Sequence, residues 1–181
     1  MRESIRPGGR SARVQAAVHA AVQELSLEYG RDTLTIPQIA ERAGVTPSTI
    51  YRRWGTLAEL MADVAVEAMR PETPPQDTGT LAGDLLAWAE QYMEELSSRP
   101  GRAMIRDALG SGSDNSSSRC SAIIAEQLQI LHDRARERGE RCPTIDRMID
   151  LVVAPIVFHV LFDDRDMGDA YCAKLIKRLL S

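Results

Sequence analysis

The stretch from Thr35 to Leu60, TIPQIAERAGVTPSTIYRRWGTLAEL, constrains the fold more than any other part of the chain. Thr35 is placed to cap a helix, and Gln38, three residues on, can return the hydrogen bond and complete a capping box. Ile39 and Ala40 face inward. Gly44 stands where that helix must stop, because a left-handed backbone suits glycine. Val45 plugs the turn. Thr46 and Pro47 mark a second helix as N-cap and first helical residue, where proline's missing N–H had no intrahelical partner. Ile50 faces back toward Ala40, leaving Ser48, Thr49, Tyr51, Arg52 and Arg53 to face outward or flank the contact. Two short helices that cross steeply over a glycine turn need a residue as small as Ala40 where their backbones meet. The spacing predicts a helix-turn-helix, whose second helix enters the major groove of DNA.

Only helical periodicity recurs along the rest of the chain, and the predicted fold class is all-α. Arg2 to Arg10 reads as a flexible basic arm, and Ser11 as the cap of a helix carrying Val14, Val18, Ala21, Val22 and Leu25 to a stop at Gly30. Thr56 caps a helix from Leu57 to about Arg70. Pro71 to Gly79 is linker-like, Thr80 opens a helix to about Ser97, and a short helix runs from Pro100 to Leu109. Gly110 to Ser118, GSGSDNSSS, predicts a mobile loop before a helix from Arg119 to Gly139. Thr144 opens a helix to about Asp164 that Pro155 should kink, and a turn at Asp166 to Gly168 precedes a closing helix, Tyr171 to Leu180. The predicted division is a basic arm and helix-turn-helix domain, 1–56, and a larger helical domain, 57–181.

The kinked helix is apolar on nearly every side, which a small domain rarely buries alone. Together with the last helix it predicts a two-fold homodimer through a four-helix bundle. Leu151, Phe158, Phe162, Leu175 and Leu179 are its expected interface residues. Two heads related by a two-fold axis suit a palindromic operator on double-stranded DNA.

Charge supports this division. The 181 residues carry a net charge of −4, but 1–56 hold eight arginines against five acids, leaving fourteen basic and twenty-one acidic residues for 57–181. A basic reading head on an acidic body follows. No apolar run of about 18 residues occurs that would cross a membrane, and the start lacks the apolar core of a signal peptide, so a cytoplasmic protein is expected. Cys120, Cys142 and Cys172 are odd in number and lack CxxC spacing, which opposes a disulfide framework or zinc site and leaves buried thiols or a redox sensor.

In the head, Thr46, Ser48 and Thr49 offer hydroxyls and backbone N–H groups at a helix N-terminus, where phosphate is welcome. Tyr51 can reach a phosphate, Arg52 can pair with guanine, and Pro47 can touch a thymine methyl. Arg10 belongs to the arm that would reach phosphates or a minor groove.

These residues resemble the N-terminal domain of the TetR family of bacterial transcriptional repressors, on Thr35, Ile39-Ala40, Ala43-Gly44-Val45 and Thr49-Ile50-Tyr51-Arg52-Arg53-Trp54. The resemblance covers about residues 10 to 65. It implies that Thr35, Thr49 and Tyr51 hold phosphates, that Pro47, Ser48 and Arg52 lie nearest the bases, and that Trp54 packs the head. Leu57 stands where the family usually has a phosphate-binding lysine. The resemblance also implies a body that encloses a small-molecule effector and releases DNA when occupied. Trp88, Tyr92, Met104, Gln127, Val152 and His159 are its expected lining. The alternative is a helical small-molecule-binding dimer whose head has weakened or lost DNA binding.

Catalysis has little to stand on. His132-Asp133 resembles paired metal ligands of helical phosphohydrolases, but His19 and His159 lack acidic partners in that arrangement. No nucleophile elbow, phosphate loop or dinucleotide-binding turn is present. No catalytic residue, metal or cofactor is expected.

Overall fold

The computed structural model describes residues 9–110, 114–163, 167–168 and 170–181, with the side chains of Arg10, Leu109 and 114–117 outside the description. The described residues form α1 (Gly9–Tyr29), α2 (Ile36–Arg42), α3 (Pro47–Trp54), α4 (Leu57–Ala68), α5 (Leu81–Ser97), α6 (Arg99–Gly110), α7 (Asp114–Glu137), α8 (Ile145–Met148), α9 (Ala154–Phe162) and α10 (Tyr171–Leu180). A 3-10 turn, Arg31–Thr33, follows α1, and a π turn, Ile149–Val153, joins α8 to α9. No strand occurs among the described residues. The chain divides into two compact units, Met1–Val64 and Ala65–Ser181.

The N-terminal unit closes over Val18, Val22, Ile39, Ile50 and Leu60, with Ala40 at 1% exposure where the two short helices approach. The turn between α2 and α3 follows from Gly44. Its φ of 65° lets the Gly44 N–H reach the Glu41 carbonyl (3.2 Å) and the Val45 N–H reach back to Ala40 (2.9 Å), which satisfies the last carbonyls of α2. Leu57, Leu60 and Val64 on α4 pack into the same core.

The C-terminal unit is built on Leu85, Leu128, Leu131, Met148 and Ile156, each 0% exposed. The Thr80 hydroxyl caps α5 by accepting from the Gly83 N–H (3.1 Å). The Glu140 carboxylate accepts from the Leu81 N–H (2.9 Å), so a residue just past α7 holds the start of α5. Buried Asp84 accepts from the Thr78 N–H (2.6 Å) and the Arg138 guanidinium (2.8 Å). Burial pushes its carboxyl up, but those donors outweigh it and hold it below the usual value.

Three local expectations change. Ser11 lies inside α1 rather than capping it. Asp114 to Ser118, expected in a loop, belong to α7; Asp, Asn and Ser suit a helix start, and packing of the following turns overrides their modest interior propensity. Residues 111–113 lie outside the description, as do 1–8 of the basic arm, 164–165, residue 166 of the expected turn, and 169. Pro155 breaks its helix through the π turn before it, where the Ala154 N–H donates five residues back to Ile149. Among the described residues no helix is long and apolar enough to cross a membrane.

Candidate nucleic-acid interface

The local sequence of α3 determines which of its side chains stay available. Ile50 (0% exposed) and Trp54 (7%) turn into the head. The Trp54 Nε1–H donates to Asp63 Oδ2 (2.8 Å), and His19 Nε2 lies 2.9 Å from the same oxygen. Asp63 on α4 therefore ties the end of α3 to α1. The signal for it was a lone carboxylate between Leu60 and Val64 on an apolar stripe, and motif reasoning passed over it.

Arg53, expected to face outward or flank the contact, is exposed yet donates to the Ser11 carbonyl and hydroxyl (2.9 Å each) and to Gln15, and lies over the Trp54 ring. Arg42 pairs with Glu28 (2.8 Å) and Glu24 (3.1 Å) of α1. Donating hydrogen bonds to these carboxylates pushes its pKa up. Both arginines are committed to α1. Arg52 is exposed and has no side-chain partner among the described residues. Tyr51 is 52% exposed beside it.

Pro47 and Ser48 are exposed at the start of α3, with Thr49 half-buried. Thr46 does not cap the helix through its side chain; its hydroxyl sits 2.9 Å from those of Ser48 and Thr49, a cluster at the helix N-terminus. Thr35 forms its capping box, with its N–H 3.0 Å from Gln38 Oε1. Val45, Thr46, Thr49 and Arg52 line one open concavity with Ser11 and Val14. Arg10 lies in the first turn of α1, and its side chain lies outside the described residues. Leu57 is half-buried against the head core and offers no cation.

In the C-terminal unit, Trp88, Tyr92, Met104 and Gln127 line one cavity of about 230 Å³. Val152 and His159 lie outside its lining. Val152 is fully buried in the core, and His159 Nδ1 is 2.9 Å from Asp163 Oδ2 and edge-on to Tyr171. The alternation of a helix face cannot distinguish a cavity wall from solid core, which is why these two were expected there. Gly101 lies on the wall where α6 passes α5, and a Cβ there would meet the Glu95 carbonyl at 2.0 Å.

Two family profiles match the chain. "Bacterial regulatory proteins, tetR family" covers residues 18–64, and "Tetracyclin repressor-like, C-terminal domain" covers residues 75–179. The chain belongs to the TetR family. It is similar to the uncharacterized HTH-type transcriptional regulator YdeS of Bacillus subtilis, 28% identical over 96% of this chain and 91% of that protein. It is 32% identical to the HTH-type transcriptional regulator AqdR of Rhodococcus erythropolis over 54% of this chain and 47% of the relative. Among solved structures, the TetR family regulator SCO0332 superposes with a TM-score of 0.71 at 27% identity, covering 93% of this chain and 97% of its own. A TetR regulator from Rhodococcus sp. RHA1 shares the fold with a TM-score of 0.65 at 19% identity, over 95% of this chain and 98% of that one. This TetR protein is a DNA-binding transcriptional regulator, and its family is one of regulators rather than enzymes.

A second surface of this TetR chain lies on α9. Phe158 is 56% exposed, Phe162 is 76% exposed, and half-buried Leu151 precedes them on the π turn. Leu175 (8%) and Leu179 (2%), expected at the same interface, turn into the chain's own core and keep little exposed surface. Burial raises the pKa of all three thiols, Cys172 to about 11, which leaves them protonated and poor nucleophiles near neutrality.

Proposed function

We propose that this regulator is a homodimeric repressor that reads a palindromic operator through α3 and releases it when a small molecule occupies the 230 Å³ cavity. The observation that carries the DNA-reading part is the sorting of arginines in the head. Arg42 and Arg53 are bonded to α1, whereas exposed Arg52 has no side-chain partner among the described residues and sits beside Tyr51 and the hydroxyl cluster of Thr46, Ser48 and Thr49. In this reading Arg52 pairs with a guanine edge, Pro47 and Ser48 lie against neighbouring bases, and Thr35, Thr49 and Tyr51 hold phosphates. Such a protein works in the cytoplasm, on chromosomal DNA.

The exposed Phe158 and Phe162 favour a second copy as the partner, with Leu151 flanking, because a two-fold contact would cover both rings at once. Release requires that the ligand bind the DNA-free conformation more tightly than the DNA-competent one; equal affinity would shift nothing.

Selection of bound sequences from a random DNA pool at physiological salt tests the reading. A palindromic consensus is expected, and Arg52→Ala should weaken the selected site by about tenfold or more while relaxing one base position. Unchanged affinity in that variant would remove Arg52 from the interface. Half-buried Leu57 favours a second reading, a ligand-binding dimer with weak DNA affinity, since that position supplies no phosphate contact. Recovery of no consensus from a folded dimer would decide for it.

A further inference from the structure

The cavity carries a chemical preference in its wall. Trp88 and Tyr92 stack with ring centroids 5.1 Å apart and planes 9° from parallel, a flat aromatic side. The Trp88 Nε1–H can only donate, and it donates to Gln127 Oε1 (2.7 Å). That contact fixes which end of the Gln127 amide is oxygen and leaves its Nε2–H₂ group without a partner among the described residues. Tyr92 is 9% exposed, yet its hydroxyl also makes no hydrogen bond among them. Burial pushes its pKa well up, so it stays a neutral donor. Neither atom is sealed from solvent, so both face the cavity as donors that no described side chain or carbonyl engages.

Charge is one-sided at the same place. None of the described residues lining the cavity is a lysine, arginine or histidine. Glu95 is the charged one, on the exposed rim, where it accepts from Gln91 Nε2 (2.8 Å). A bound anion would meet this carboxylate with no cation to offset its lost hydration. Size narrows the choice further. A cavity of about 150 Å³ houses one benzene ring, so 230 Å³ takes one ring with substituents or two fused rings.

We propose that the cavity selects an uncharged, flat, one- or two-ring compound bearing a hydrogen-bond acceptor for Tyr92 and Gln127, and refuses the carboxylate of the same shape. The proposal rests on reading this cavity as the effector site. Calorimetric titration of the full-length protein with naphthamide and with naphthoate tests it. Naphthamide should bind, and naphthoate should bind at least about tenfold more weakly. Tyr92→Phe, which removes only an unpaired hydroxyl, should weaken naphthamide roughly three- to tenfold. Glu95→Gln, on the exposed rim, should narrow the gap between the probes by roughly two- to fivefold. Equal or tighter binding of naphthoate, binding of neither probe, or an unchanged naphthamide affinity in Tyr92→Phe would each overturn the proposal. Operator affinity is measured separately by DNA anisotropy with and without naphthamide. Naphthamide binding without any change in operator affinity would retire the cavity as the effector site while leaving its ligand preference standing.

Discussion

In the N-terminal unit, named polar atoms set the geometry: Asp63 gathers Trp54 and His19, Arg53 reaches Ser11 and Gln15, and Thr35 and Gln38 cap each other. In the C-terminal unit the centre is apolar, with Leu85, Leu128, Leu131, Met148 and Ile156 fully buried, and the polar ties cluster near Asp84, Arg138 and Glu140 at the start of α5. The difference suits the two tasks. A surface that reads DNA must present a few side chains in one orientation, and directional hydrogen bonds do that. A body that must accept a ligand needs close packing with a local gap, and non-directional apolar contact tolerates one.

Four substitutions or conditions probe this contrast, beginning with the largest effect. Leu128→Ala should cost the C-terminal unit about 3 kcal/mol by opening a void among fully buried neighbours. Chemical denaturation followed at body and head probes would show it; an equal loss in the head would break the distinction. Asp63→Ala should cost the head about 2 kcal/mol, because buried Trp54 and His19 lose their acceptor. Operator affinity should fall further than in Asp63→Asn, and a variant as stable and as tight as the parent would remove Asp63 from its positioning role. Thr35→Ala should cost about 1 kcal/mol of head stability through its capping box, read from the thermal midpoint.

Acid gives the smallest effect and belongs to the body's polar rim. Asp84 and Glu140 titrate below their ordinary values of 3.8 and 4.5 in the folded chain. For Glu140, the Leu81 N–H and then Arg138 are the causes. A depressed folded value means that the carboxylate stabilises the fold above its ordinary pKa, and that this is lost as pH falls through the lowered folded value. Body stability should therefore fall as pH drops below about 5, and Asp84→Asn should flatten that fall. An unchanged acid slope in Asp84→Asn would place the sensitivity elsewhere.

The head was legible because its information is local. Capping residues, the glycine of the turn and the inward Ala40 and Ile50 lie within one short segment, where sequence spacing becomes spatial spacing through helix geometry alone. The all-helical class and the start of α5 at Thr80 came from the same kind of signal. The motif singles out Arg52 over the adjacent Arg53, but what occupies Arg53 cannot be read that way. Only the position of α1 brings Ser11 and Gln15 to Arg53, while Arg52 has no side-chain partner among the described residues. The same holds in the body. Tyr92 and Val152 both sit among apolar helix positions, yet one lines a cavity and the other is solid core. Leu175 and Phe158 both belong to apolar stripes, yet one is buried and the other exposed. Periodicity determines that a side chain faces inward or outward on its own helix. What it meets there depends on neighbours far away in the chain, and packing alone decides that.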